Sequence, residues 1–199
     1  MLTLVHAPRS RSTRFIWLLE ELGAPYEVMK VDIKRAGGPQ AGTGARDPRN
    51  PHPHGQVPAL LDDGVLITES AAIALYLTDK FPKAGLGPVV GDAKRGPYLS
   101  WLSYYAGVLE PVVVNHWKGR TATDEGDKAA YEALDQHLKQ SLEKSPWLLG
   151  DTFSAADILF VSLLQFARQM LPGHAVYDDW LARANARPAL ARALAKDDL

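Results

Sequence analysis

Residues Leu2 to Ile33 read LTLVHAPRSRSTRFIWLLEELGAPYEVMKVDI, and this stretch decides the fold. Leu2 to His6 form a short apolar run that Pro8 ends, the pattern of a buried strand. Phe15, Leu18, Leu19 and Leu22 then recur at i, i+3, i+4 and i+7, which predicts an amphipathic helix with one buried face. Ser12 or Thr13 is placed to cap its start. Gly23 stands where a helix C-terminal glycine is expected, and Pro25 follows it. Tyr26 to Ile33 reads as a second strand. Strand, helix and strand within about 30 residues make a βαβ unit with a parallel pair and a right-handed crossover.

Working outward, Lys34 to Gly55 is rich in Gly, Pro and Arg and has no periodicity, so it reads as a long loop. Val57 to Leu61 and Val65 to Ile67 flank the turn Asp62-Asp63-Gly64 and predict a hairpin. Ser70 to Lys80 reads as a helix with Ile73, Tyr76 and Leu77 on one face. Residues 1–81 therefore form an α+β domain in the order β-α-β-β-β-α. Residues 82–93 carry Pro82, Gly85, Gly87, Pro88 and Gly91 and read as a linker. Residues 94–199 read as an all-α domain. Its helices are Tyr98 to Trp117 (kinked or split at Pro111), Asp127 to Lys144, Ala155 to Leu171, and Asp178 to Ala195 interrupted at Pro188. Ser154 and Asp157 have capping-box spacing, and Phe153 and Ile158 that of a hydrophobic staple, so this segment is structural.

Composition narrows the function. The chain has 199 residues, 46% hydrophobic and 23% charged, with a formal net charge of -1. No global basic field exists to hold a nucleic acid, so the arginines of PRSRSTR, Pro8 to Arg14, act locally if at all. There is no cysteine, which excludes disulfides, thiolate metal sites and a cysteine nucleophile. No signal-peptide or membrane-spanning pattern is present, and a cytoplasmic protein is expected. G-x-S-x-G, Walker A, Rossmann and H-E-x-x-H motifs are absent. His52 and His54 lack a third ligand nearby, so no metal site is expected.

Two places offer ligand chemistry. Glu69 and Ser70 open a helix directly after a strand. Ser70 reads as an N-cap, or the pair reads as a clamp for an α-amino-acid head group: helix N–H groups and a hydroxyl for the carboxylate, Glu69 for the ammonium. At Val57-Pro58, a cis bond would turn the Val57 N–H and C=O outward toward a peptide-like ligand.

Four motifs occur in order: Ser10 to Arg14 before FIWLLEELGAPYE, HPHGQVPAL at His52 to Leu60, ITESAAIALYL at Ile67 to Leu77, and LLGDTFSAADI at Leu148 to Ile158. Together they resemble the cytosolic glutathione transferases, in the bacterial and fungal branch with an HPxG motif. The resemblance implies a thioredoxin-like first domain and a cytoplasmic homodimeric enzyme of detoxification. Glutathione would be its co-substrate, with no tightly bound cofactor. Val57 before a cis Pro58 would pair with the cysteinyl backbone, Glu69 and Ser70 would hold the γ-glutamyl group, and Gln56 would reach the glycyl carboxylate. Tyr104, Tyr105 and Trp117 would line the pocket for a small hydrophobic electrophile in the cleft between the domains. The tyrosine-type catalytic position falls near Pro8, which cannot serve. The serine-type position, four residues before Arg14, falls on Ser10, with Ser12 as second choice. Its hydroxyl would donate to the glutathione sulfur. Arg9 and Arg11 add positive field there or face water, and Arg14 is structural. The alternative is a non-catalytic glutathione-binding or regulatory protein of the same fold. Absence of cysteine argues against thiol–disulfide exchange through a protein thiol.

Overall fold

The computed structural model describes residues 1–34 and 46–197, so residues 35–45 of the expected long loop lie outside it. The chain divides into two compact units, one of residues 1–84 with 188–199 and one of residues 85–187.

The first unit is built on a four-stranded sheet in the order β2-β1-β3-β4. Strand β1 (Leu2–His6) runs parallel to β2 (Tyr26–Lys30). It runs antiparallel to β3 (Ala59–Asp62), which turns into β4 (Val65–Ile67). The parallel pair requires a crossover, and α1 (Thr13–Leu22) supplies it. Gly23 takes φ +62, and the Ala24 N–H reaches the Leu19 carbonyl at 3.1 Å, closing α1 as expected. Helix α2 (Ser70–Lys80) follows the hairpin, and Asp62 of β3 accepts from Tyr76 and Lys80 of α2.

The one-faced helix expected for α1 is not what forms. Arg14, Phe15, Ile16, Trp17, Leu18 and Leu19 are all buried. The last helix, α8 (Pro188–Asp197), packs on α1 and buries Ala189, Leu190 and Ala193. By its contacts, the last segment of the expected helical region, residues 188–199, groups with the first unit. Helix α8 completes the sandwich around α1, where full burial of a Leu side chain is worth about 1.5–3 kcal/mol. Glu20 fixes the pairing by accepting from Arg192 at 3.0 Å and from Lys196.

The second unit holds α3 (Arg95–Tyr104), α4 (Glu110–Trp117), α5 (Glu125–Lys144), α6 (Ala155–Ala167) and α7 (Ala175–Asn185). The helical stretch expected to be kinked or split at Pro111 is split just before it, between α3 and α4. A π-helical turn at Tyr105–Leu109 precedes the proline, and its widened spacing places the residue lacking an N–H in the first turn of α4. At α6 the Asp157 carboxylate accepts the Ser154 N–H and hydroxyl at 2.9 Å each. It also accepts the Leu148 N–H at 3.0 Å and the Trp180 indole N–H at 3.3 Å. The expected capping box is thus a wider hub that ties α6 and α7 to the turn before them.

Burial pushes the Asp157 carboxyl up from 3.8 to about 6, with the donors from Leu148, Ser154 and Trp180 opposing it. Asp157→Ala leaves those donors unmet, and urea unfolding is expected to show a loss of about 3 kcal/mol. The folded-state value lies above the unfolded one. Stability relative to Asp157→Asn is therefore full at acid pH, falls as pH rises from about 4 to about 6, and is flat above. Parallel denaturation of the two proteins across that range reads the difference.

Candidate active site

The loop from β1 into α1 carries a dense hydroxyl cluster. Arg9 takes φ +53, a turn that brings Ser10 and Ser12 back toward β1. Ser12 is fully buried and does not cap α1 with its side chain. Its Oγ instead accepts the Ala7 N–H at 3.1 Å and lies 2.8 Å from His6 Nδ1. Ser10 is half-buried. Its Oγ lies 2.7 Å from both the Ala7 carbonyl and Ser12 Oγ, two acceptors for its one proton, and accepts the Ser12 N–H at 3.1 Å. Of the two serines, Ser10 is the one a ligand can meet from outside. Arg9 and Arg11 are exposed and Arg14 is buried.

Two members of this cluster carried no sequence signal. His6 ends β1 and is completely buried. Asp197, at the end of α8, is 5% exposed. Its Oδ2 accepts the Arg9 N–H at 2.8 Å, its Oδ1 the Thr13 hydroxyl at 2.5 Å, and its carbonyl lies 2.9 Å from His6 Nε2. A separation of 191 residues puts His6 and Asp197 beyond any periodicity or motif.

The segment before β3 is held by Asn50, which is buried. Its amide donates to the Gln56 carbonyl at 3.1 Å and accepts the His52 N–H at 3.0 Å. Arg46 donates to the His52 carbonyl at 2.9 Å and the Pro53 carbonyl at 3.2 Å. Gly55 takes φ +62, and a Cβ there would stand 2.9 Å from Arg46 Cγ, so glycine is required twice over. The Val57–Pro58 bond is cis. Gln56 is exposed, while Val57 and Pro58 are buried. His52 Nδ1 accepts the His54 N–H at 3.1 Å. Burial lowers the His52 pKa, and the Glu69 charge partly offsets this. Among the described residues no group of three His, Cys, Asp or Glu is placed to hold a metal, and no helix is long and apolar enough to cross a membrane.

At α2 the cap position is Glu69, one residue before the expected Ser70, which is the first helical residue. Glu69 is exposed and takes φ +67, ψ 123, a conformation that costs a non-glycine residue about 1–3 kcal/mol. Neither its carboxylate nor the Ser70 hydroxyl has a hydrogen-bond partner among the described residues. The first-turn N–H groups of α2 likewise have no acceptor within the helix.

The three aromatics of the expected electrophile pocket do not converge within the second unit. Tyr104 lines a cavity of about 240 Å³ with Pro97, Ser100, Trp101 and His137. Trp101 and His137 stack there at 4.9 Å. Tyr105 is buried, packs edge-on to Phe160 at 5.6 Å and donates to Glu110. Trp117 is 68% exposed.

Comparison with known proteins gives a consistent setting. Residues 1–79 match the glutathione S-transferase N-terminal domain family and residues 124–196 the glutathione S-transferase C-terminal domain family. The disulfide-bond oxidoreductase YfcG of Escherichia coli K12 is 30% identical over 216 residues, covering 100% of this chain and 97% of that protein. The glutathione S-transferase GstA of Escherichia coli O157:H7 is 29% identical over 187 residues, 91% of each chain. A sphingomonad glutathione S-transferase solved with glutathione superposes with a TM-score of 0.75 at 30% identity, covering 99% of each chain.

Asn50→Ala removes both side-chain bonds that shape the segment ahead of Val57. Thermal or urea unfolding is expected to register a loss of about 2 kcal/mol, since the His52 N–H and the Gln56 carbonyl lose their partners.

Proposed function

Because the chain belongs to the glutathione S-transferase family, we propose that it binds glutathione in its first unit and activates the thiol through Ser10 for attack on a small hydrophobic electrophile. The observation that carries this reading is the start of α2. An exposed carboxylate in a costly conformation and a hydroxyl at a helix N-terminus have no hydrogen-bond partner among the described residues. That is the complement of an α-amino-acid head group: Glu69 takes the ammonium of the γ-glutamyl residue, and Ser70 with the first N–H groups takes its carboxylate. The cis Val57–Pro58 segment offers backbone groups to the cysteinyl residue, and exposed Gln56 reaches the glycyl carboxylate. Ser10, half-buried at the mouth of α1, donates to the sulfur. A hydroxyl donor and helix N-terminal potential both favour thiolate over thiol, each unit of pKa being worth about 1.36 kcal/mol. The thiolate then forms the S–C bond, and the leaving group departs with its electron pair.

A second reading is favoured by the name of the E. coli relative, a disulfide-bond oxidoreductase. This chain has no cysteine. Both thiols of any exchange must therefore come from ligands: a bound glutathione thiolate attacks one sulfur of a disulfide, and the other sulfur leaves as thiolate. The same activated sulfur serves either reaction.

Calorimetry and turnover separate the possibilities. Glu69→Gln and Ser70→Ala are each expected to weaken glutathione binding about tenfold, or 1.4 kcal/mol. Ser10→Ala is expected to hold binding within about threefold and to lower kcat/KM with a chloro-nitro-aromatic substrate by about tenfold or more. Loss of turnover in Ser12→Ala but not in Ser10→Ala moves the role to Ser12. Turnover with small disulfides alone selects the exchange reaction, and tight binding without turnover selects a carrier. Failure to bind glutathione rejects all of these.

A further inference from the structure

His6 is the one buried histidine of the first unit's sheet, and the chemistry above leaves it without a part. Its Nε2 faces two acceptors of Asp197, the carbonyl at 2.9 Å and Oδ1 at 3.5 Å, so this nitrogen carries the proton. In the neutral ring Nδ1 is then an acceptor, and the Ser12 hydroxyl, 2.8 Å away, donates to it. With its proton on the nearer His6 Nδ1 rather than on the Ala7 carbonyl at 3.2 Å, Ser12 Oγ receives the Ala7 N–H at 3.1 Å and is open to the Ser10 hydroxyl at 2.7 Å, a proton for which the Ala7 carbonyl, also at 2.7 Å, is the other acceptor. With the Ser10 proton turned from the Ala7 carbonyl to Ser12, the hydroxyls run inward, from half-buried Ser10 through Ser12 to the imidazole.

We propose that this chain is a proton relay: His6 takes the proton of the glutathione thiol through Ser10 and Ser12, and Asp197 holds the ring to receive it. The proposal rests on Ser10 facing the sulfur. The thiol S–H bond breaks as its proton passes to Ser10 Oγ, the Ser10 proton passes to Ser12 Oγ, and the Ser12 proton passes to His6 Nδ1, where a new N–H bond forms. Both serines remain neutral hydroxyls, now pointing outward, with Ser10 donating to the thiolate. The imidazolium is flanked by the Asp197 carbonyl and carboxylate. Charged residues on the surrounding elements are Arg192, Lys196 and Asp197 on α8, Glu27 and Lys30 on β2, with Lys30 in register with His6 and exposed, Asp62 on β3, Arg14 (buried), Glu20 and Glu21 on α1, and exposed Arg9 and Arg11 on the turn. His6 and Asp197 never touch the sulfur; they act through Ser10 and are positioning residues.

A purely structural network needs only donors and acceptors in place, whereas the relay needs a group that can gain a proton. His6→Gln separates the two, because glutamine keeps hydrogen bonding and cannot accept the proton. Ultraviolet titration of bound glutathione reports the pH of half ionisation, read with the pH profile of kcat/KM. In His6→Gln glutathione Kd is expected to stay within about threefold, while the midpoint rises by about one unit and kcat/KM at neutral pH falls about tenfold. An unshifted midpoint in His6→Gln, with a raised midpoint in Ser10→Ala, overturns the relay and leaves the Ser10 reading standing. An unshifted midpoint in Ser10→Ala overturns both. Should His6→Gln not fold, Asp197→Asn keeps the carbonyl against Nε2 and removes the charge. A rise of about half a unit then supports the relay, and no rise overturns it.

Discussion

Asp197 supplies what the turn between β1 and α1 cannot find within itself. A left-handed residue at Arg9 leaves its N–H pointing away from the hydroxyls of Ser10 and Ser12, and Asp197 Oδ2 accepts it at 2.8 Å. Oδ1 takes the Thr13 hydroxyl, and the carbonyl meets His6. A buried carboxylate without such partners would cost several kcal/mol, and the turn without the carboxylate would leave its own donors unmet. Each therefore stabilises the other only when α8 lies on α1. That packing is secured by apolar burial at Leu190 and Ala193 and by the Glu20 pairs with Arg192 and Lys196.

The two helix starts of the first unit are treated in opposite ways. At α1 every hydroxyl is turned inward and satisfied, which fixes Ser10 to within the length of a hydrogen bond from a buried network. At α2 the polar side chains are left facing outward, with a strained Glu69 as cap. Rigid positioning suits a group that must meet one atom, the sulfur, at donor distance. Unsatisfied groups suit a head group that brings its own charges, since water can serve them until it arrives.

Local features of the sequence were readable because they act over a few residues. The β1–α1–β2 order, the Gly23 stop, the Asp63-Gly64 hairpin and the bounds of α2 follow from spacing and turn chemistry alone. Asp157 was legible as a cap, though not as the hub that also receives Leu148 and Trp180. What was not readable is non-local. The periodicity of Phe15, Leu18, Leu19 and Leu22 suggested one buried face, and nothing in it announced that a helix from the far end of the chain would cover the other. Ser12 reads as a cap by residue type, but its hydroxyl is drawn to His6 and Ala7 because burial leaves those groups with no water. Tyr104, Tyr105 and Trp117 share a stretch of chain, yet their surroundings differ: Tyr104 lines a cavity, Tyr105 is buried and Trp117 is exposed, which adjacency in sequence does not announce.

The lack of cysteine sharpens the electrostatic problem at the sulfur. On the proposed reading, the ligand's thiolate meets a neutral hydroxyl first, which offers it less than a cation would. A buried carboxylate packed against the β1–α1 turn works against this, because like charges repel. Asp197 is such an anion, and its two oxygens are engaged by Arg9 and Thr13 on the side where the turn begins. His6 stands between Asp197 and the serines. Once it is protonated, the order along the chain becomes carboxylate, imidazolium, hydroxyl, hydroxyl, thiolate, which alternates the charges and leaves no two anions adjacent. A turn that only needed its hydrogen bonds satisfied would not require that alternation, and it is the physical reason a histidine at the end of β1 is better suited to the site than a neutral side chain of equal size.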